Sequence, residues 1–315
     1  MHVAILGAGA MGSWFGGQLA LQGHDVQLLT TNQAHIDAVN TDGLVMQVHG
    51  TEQNRVATQL DARTPDQYKI GADLVIVLTK SYQTQAAMSA IAGNLQEHTA
   101  VLSLQNGLGN AETLSNHVRP ENIWIGMSMM PVDRIAPGVV ASRGTGRTLF
   151  GHCSDRNHPF ANTIVKLFDG SGMTVLHDPD VHSRIWEKVA FNASMNALCA
   201  LTHGTPGTIG QLAEAGALTH AVAREVAAVA TANGVPIDLQ AVFHTIAYAC
   251  KNHGSHKASM LQDLLAGKRT EVDALNGAIV AMGKRHGIDT PLNATLATLV
   301  RLAELGEHTS PTVVS

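Results

Sequence analysis

Val3-Ala4-Ile5-Leu6-Gly7-Ala8-Gly9-Ala10-Met11-Gly12 opens the chain with an apolar strand that runs directly into the spacing GxGxxG. Each glycine answers a separate demand: the first permits a tight turn, the second lets backbone approach a pyrophosphate, and the third lets a helix pack on the strand. An apolar-periodic stretch to about Gln22, the turn Gly23-His24-Asp25 and a second run, Val26-Gln27-Leu28-Leu29-Thr30, complete a βαβ unit. Amides at the start of that helix point toward where phosphate oxygens would lie. Gly7, Ala8, Gly9, Ala10, Met11 and Gly12 are therefore candidate dinucleotide-binding residues.

The pattern continues outward from this unit. Leu74-Val75-Ile76-Val77-Leu78, Ala100-Val101-Leu102-Ser103-Leu104 and Ile123-Trp124-Ile125-Gly126 are apolar on both faces and alternate with helical stretches near 83–93 and 108–117. Strands of that kind, separated by helices, predict a parallel, doubly wound sheet of Rossmann type. Pro137–Gly151 reads as an antiparallel addition such as a hairpin, followed by a helix near 158–170 and a last strand, Met173-Thr174-Val175-Leu176. Beyond His177-Asp178-Pro179-Asp180 only helical periodicity remains, at 181–201, 218–233, 238–250, 271–286 and 292–305. The expected division is a dinucleotide-binding domain over 1–178 and an all-helical domain over 179–315.

Composition narrows the function classes. Hydrophobic residues at 45% and charged residues at 14% describe a chain with ample core. A net charge of -5 without a basic tract offers no electrostatic footprint for nucleic acid or an anionic membrane. No run approaches the roughly 20 apolar residues of a membrane span. Cys153, Cys199 and Cys250 are odd in number and widely spaced, as reduced thiols in a cytoplasmic protein would be. The 17 histidines include His253-Gly254-Ser255-His256, but no cysteine lies nearby and no HExxH occurs, so no metal site is expected. The apolar helical stripes leave room for a homodimer without requiring one.

The helical part carries a second constellation. Lys188, Asn192 and Asn196 stand four residues apart in a segment otherwise built of Val, Ala, Phe, Ser and Met, so one ammonium and two carboxamides share a helix face. Polar groups on a face that should be buried need partners, and a small oxygen-rich anion provides them. Which dinucleotide accompanies that anion depends on the tip of the second strand, where an acid selects NAD and an arginine NADP. This chain has Thr30-Thr31-Asn32-Gln33, which is neither; NADP is permitted because no carboxylate repels a phosphate.

Trp186-Glu187-Lys188-Val189-Ala190-Phe191-Asn192 with Asn196, and Ser259-Met260-Leu261-Gln262-Asp263 leading to Thr270-Glu271-Val272-Asp273 and Asn276-Gly277, resemble the ketopantoate reductase family, the 2-dehydropantoate 2-reductases. Thr79-Lys80-Ser81-Tyr82-Gln83 and Gln105-Asn106-Gly107-Leu108-Gly109 extend the resemblance, which runs from the first strand to about residue 305. It implies a Rossmann domain followed by a helical domain similar to the C-terminal domain of 6-phosphogluconate dehydrogenase. It also implies reduction of a 2-oxo acid by NADPH, with ketopantoate becoming pantoate in pantothenate biosynthesis. Lys188 is then the proton donor, and Glu271 lies near the nicotinamide and the reacting hydroxyl. Asn106, Asn192, Asn196 and Ser259 hold substrate; Thr31, Lys80, Gln83, Asn106, Val132 and Glu271 join the glycine loop at the cofactor.

Two departures from the family pattern matter. Family members usually carry an arginine where this chain has Thr31, which opens the way to NAD. An Asn-Gly that contacts substrate in the family falls here on Pro206-Gly207. An NAD-dependent D-2-hydroxyacid dehydrogenase acting on another 2-oxo acid is therefore the alternative within the same chemistry. A non-catalytic NADP(H)-binding redox sensor is the alternative from another class, although it has no use for Lys188, Asn192, Asn196 and Glu271 together.

Overall fold

The computed structural model describes residues 1–48, 54–69, 71–144, 146–252, 254 and 256–309. It divides into two compact units: Met1–Gln105 with Asn110–Val181, and Asn106–Gly109 with the chain from His182 onward.

In the first unit β1 (His2–Leu6), α1 (Ala10–Leu21), β2 (Asp25–Leu29) and α2 (Gln33–Asp42) follow one another as the opening motif requires. Then come β3 (Leu44–Val48), β4 (Arg55–Ala57), β5 (Leu60–Arg63), β6 (Leu74–Val77), α3 (Thr84–Ile91), β7 (Ala100–Ser103) and α4 (Asn110–Leu114). β8 (Ile123–Ser128), β9 (Val132–Ala136), β10 (Val139–Ser142), β11 (Arg147–His152), α5 (Ala161–Leu167) and β12 (Thr174–His177) complete it. The main sheet has the order β12-β11-β8-β7-β6-β1-β2-β5. From β5 to β8 all neighbours are parallel, and β1 sits between β2 and β6, where the strand order reverses. That reversal is the topological switch point at which doubly wound sheets bind ligands. The fully buried pattern of β6, β7 and β8 is the reason their sequences read as continuous apolar runs.

The stretch 137–151 does not form one hairpin. β10 pairs antiparallel with β9 but parallel with β3, in a separate sheet ordered β4-β3-β10-β9, while β11 joins the main sheet antiparallel to β8. The cause lies in α1, which is buried almost all round. A Cβ on Gly16 would collide with Leu28 of the main sheet, and one on Gly17 with Met46 of the second. Adjacent glycines thus let one helix lie between two sheets at close approach. Phe15 extends the contact, meeting Phe168 edge-on at 5.7 Å between ring centroids.

The second unit is helical: α6 (Val181–Thr202), α7 (Pro206–Ile209), α8 (Ala213–Ala232), α9 (Leu239–Asn252), α10 (Ser259–Leu265), α11 (Asn276–His286) and α12 (Pro291–Thr309). This is the fold class expected, an α/β Rossmann-type sheet followed by helices. α6 is the unit's central element, with Val189, Ala190, Ala193, Met195, Ala197, Cys199 and Ala200 all at or near complete burial. It ends where His203 adopts φ 53° and the Gly204 amide reaches back to the Cys199 carbonyl. The helix expected from 271 begins only at Asn276. Residues 271–275 instead form turns, with Ala274 and Leu275 amides donating to the Glu271 carbonyl and Thr270 Oγ1 accepting the Val272 amide. No helix among the described residues is long and apolar enough to cross a membrane.

Candidate active site

The glycine loop is closed on two sides and open on the third. Gly7 has φ 101°, and a Cβ there would strike the backbone of Leu78 and Thr79. A Cβ on Gly12 would strike the Gly7 carbonyl. A Cβ on Gly9, by contrast, meets no atom within 4 Å. The loop is held from below, since Gly7 and Ala8 amides both donate to the Leu29 carbonyl, at 2.9 and 3.0 Å. Gly9 caps α1 without any side-chain hydrogen bond, and the first amides of the helix have no intrahelical acceptor. An open approach at the middle glycine above a helix start fits a pyrophosphate.

Around this loop, Thr31 is exposed at the end of β2, Lys80 precedes a single 3₁₀ turn after β6, Gln83 is exposed at the end of that turn, and Val132 begins β9. Gln105, which the sequence marks only as a neighbour of Asn106, organises this region. Its Nε2 donates to Thr79 O at 2.9 Å, Thr79 Oγ1 at 3.1 Å and Thr84 Oγ1 at 2.7 Å, while Ser103 Oγ donates to its Oε1 at 3.0 Å. The chain segments that leave β6 and β7 are thereby locked together. A polar residue directly after an apolar strand was the available signal.

In the helical unit, Lys188, Asn192 and Asn196 occupy one face of α6, as their spacing requires. Asn192 and Asn196 are only 8% and 7% exposed. Neither carboxamide hydrogen-bonds any other described residue. Their polar atoms are not among the sealed ones that lack a partner, so both carboxamides remain within reach of water or a small ligand. Burial also pushes the Lys188 ammonium down from 10.5 to about 8, against the opposing pull of the Glu271 carboxylate. Glu271 is 7% exposed and accepts from Asn106 Nδ2 at 3.5 Å. The turn bearing Asn106 is tied to the same place, because the Leu108 amide donates to the Ala274 carbonyl at 2.9 Å.

Glu271 is held from α12. Glu304 Oε1 accepts the Thr270 amide at 2.7 Å, and Asp273 bridges Arg269 and Arg301. Ser259, the exposed first residue of α10, makes no hydrogen bond among the described residues. Lys188, Glu271 and Asn106 are thus linked by charge or hydrogen bonding, Asn192 and Asn196 share the Lys188 face, and no hydrogen bond among the described residues ties Ser259 to them. Of the histidine cluster at 253–256, His253 and Ser255 lie outside the described residues. No group of three metal-ligating side chains occurs among those described.

Comparison with known proteins identifies the family. Residues 3–155 match the family described as Ketopantoate reductase PanE/ApbA, and residues 180–304 match its C-terminal counterpart. A 2-dehydropantoate 2-reductase of Halobacterium salinarum is 35% identical over 305 residues, covering 96% of this chain and 99% of that protein. A solved ternary structure of D-mandelate dehydrogenase with NADH and anilino(oxo)acetate superposes with a TM-score of 0.93 at 29% identity, covering 98% of this chain and 100% of the other. A PanE/ApbA family ketopantoate reductase from Ralstonia eutropha JMP134 gives a TM-score of 0.89 at 32% identity, covering 98% and 100%.

Proposed function

The chain belongs to the ketopantoate reductase family, and from that premise we propose that it reduces a 2-oxo acid to the 2-hydroxy acid with NADPH, converting 2-dehydropantoate to (R)-pantoate in pantothenate biosynthesis. The observation that carries the reading is the face of α6, where a lysine with a depressed pKa stands beside two buried, unpartnered carboxamides. Such a face suits a small anion that also needs a proton.

A dihydronicotinamide, when bound, would supply the hydride for the C2 carbonyl. Negative charge then builds on the carbonyl oxygen, and the Lys188 ammonium stabilises it and neutralises it by proton transfer. With a pKa of about 8, Lys188 is roughly nine-tenths protonated at pH 7, which keeps the acid form dominant while easing transfer. Glu271 holds that ammonium in its charged form. Asn192 and Asn196 donate to carboxylate and hydroxyl oxygens without adding charge, and Asn106, oriented by Glu271, and Ser259 complete the substrate contacts. The glycine loop, Lys80 and Gln83 hold the dinucleotide.

A second reading is favoured by two specific observations. Thr31 stands where an NADP-binding arginine is usual, and D-mandelate dehydrogenase, with which the chain superposes closely, is a protein solved with NADH. In this reading the chain is an NAD-dependent D-2-hydroxyacid dehydrogenase for another 2-oxo acid. A matrix of NADPH and NADH against ketopantoate, pyruvate, 2-oxoisovalerate and phenylglyoxylate, followed by absorbance loss, separates the two. A maximum at NADPH with ketopantoate supports the first; a preference for NADH with another acid supports the second. Absence of turnover with ketopantoate and either cofactor defeats the first.

A further inference from the structure

The tip of β2 offers a phosphate little. Asn32 Oδ1 is occupied by the His35 amide at 3.0 Å, capping α2, and Gln33 Nε2 donates to Asp37 at 2.7 Å. Thr31 contributes one hydroxyl. The neighbouring strand supplies the missing charge. β5 pairs with β2 in parallel register with Arg63 opposite Leu29, and the Thr30 amide donates to the Arg63 carbonyl at 2.9 Å. Arg63 therefore lies on the adjacent strand, one spacing of about 4.8 Å across from Leu29 and two residues short of Thr31, at the end of the sheet where this fold receives the adenosine ribose.

The way Arg63 is held leaves its outer edge available. Nε donates to both oxygens of Asp61, at 2.9 and 2.7 Å, and Asp61 also accepts from Gln27 Nε2 at 2.7 Å. Nη1 and Nη2 have no partner among the described residues, and the side chain is 42% exposed. A guanidinium anchored at its stem with a free fork matches a phosphate bidentately. The Asp61 contact does not compete strongly, since an exposed ion pair contributes little and yields at small cost.

From this geometry we infer that Arg63 is the residue that selects NADP(H), its Nη groups receiving the 2′-phosphate in place of the arginine that Thr31 replaces. The inference rests on the proposed NADPH-dependent reading and deepens it, because selectivity is moved from the tip of β2 to the end of β5. A strand substitution there leaves the glycine loop, Lys188 and the carboxamides untouched.

Calorimetric titration with 2′,5′-ADP and 5′-ADP tests it on the protein and on Arg63→Gln and Arg63→Lys. The parent is expected to bind 2′,5′-ADP about ten-fold or more tightly than 5′-ADP. Arg63→Gln erases that difference while 5′-ADP affinity stays within about two-fold, and Arg63→Lys, which keeps the charge without the fork, retains part of it. Arg63→Gln binding 2′,5′-ADP as tightly as the parent, a parent with no preference, or equal loss of both nucleotides would each overturn the inference. Turnover measured on the same preparations keeps the two ideas apart. Reduction with NADH but no 2′-phosphate selectivity removes the role of Arg63 alone, whereas selectivity without turnover of any 2-oxo acid removes the reductase reading alone.

Discussion

His35 Nε2 lies 2.9 Å from Ser13 Oγ, and this pair joins three segments of the dinucleotide-binding unit. Nδ1 of the same ring accepts the Gly138 amide at 3.0 Å, so the ring proton resides on Nε2 and is donated to Ser13. Ser13 Oγ donates onward to the Ala8 carbonyl at 3.3 Å, inside the glycine loop. α1, the start of α2 and the β9–β10 turn are thus fixed by one neutral imidazole. The ring has 0% exposure, and burial, followed by the charge of Arg134, holds its pKa down from 6.5 to about 4.

Acid should therefore weaken this unit through His35. The folded pKa lies below the unfolded one, so the stabilisation is complete above pH 6.5 and is lost as pH falls from 6.5 through about 4. The shift corresponds to roughly 3 kcal/mol. Urea unfolding followed across that window should show the loss in the parent and a much flatter profile in His35→Gln. An equally steep profile in the variant would assign the acid sensitivity to carboxylates instead.

Lys188 gives a pH dependence of the opposite kind. As a general acid it must be protonated, so kcat/KM for reduction should fall as pH rises through about 8, and oxidation of the hydroxy acid should rise through the same region. Glu271 raises the lysine pKa, hence Glu271→Gln should move this limb to lower pH. Lys188→Met should reduce kcat by about 10²–10⁴ with cofactor affinity retained. Its melting temperature should not fall, because a charge desolvated by burial is removed. A Lys188→Met protein that keeps the parent rate, or an unshifted limb in Glu271→Gln, would contradict the assignment.

The parts that were legible in sequence are those whose physics is local. β1, the glycine loop and α1 occupy some twenty consecutive residues, and steric demands within them determine the spacing. The Lys188, Asn192 and Asn196 face follows from the helical period alone. The second sheet was not legible, because β10 pairs in parallel with β3 from nearly a hundred residues away and neither strand is long enough to announce a partner. What signalled it was Gly17, next to Gly16 on a helix apolar on every side. The Asn106–Glu271 contact spans 165 residues and left no local trace; family resemblance named the two residues separately but not their contact.

Asn276 shows how the α6 face is positioned. Its Nδ2 lies 3.0 Å from both the Ala193 carbonyl, between Asn192 and Asn196, and Asn293 Oδ1. Asn293 Nδ2 donates to Glu225 Oε2 at 2.8 Å, and Glu225 accepts the Leu292 and Asn293 amides at the start of α12. Both asparagines are at 0% exposure. Asn276→Leu should cost on the order of 2–4 kcal/mol in urea unfolding and raise KM for the oxo acid more than for the dinucleotide. A cost under about 1 kcal/mol, or an equal rise in both KM values, would mean that this network does not position α6.

Gly9 and Gly12 separate binding from folding within one loop. A Cβ at Gly9 meets no protein atom within 4 Å, so Gly9→Ala should leave the melting temperature close to that of the parent. The added methyl occupies the approach of the pyrophosphate, and dinucleotide affinity should fall about ten-fold or more. At Gly12 the same methyl collides with the Gly7 carbonyl and approaches Ile5 Cγ2 to 3.0 Å. Gly12→Ala should therefore lower the melting temperature as well as the affinity, with overpacking of this kind costing about 1–3 kcal/mol. Thermal unfolding of the two variants without ligand, set beside nucleotide titration, reads both effects. If Gly9→Ala bound the dinucleotide normally, the phosphates would have to lie away from the middle glycine, and the loop would be a structural turn only.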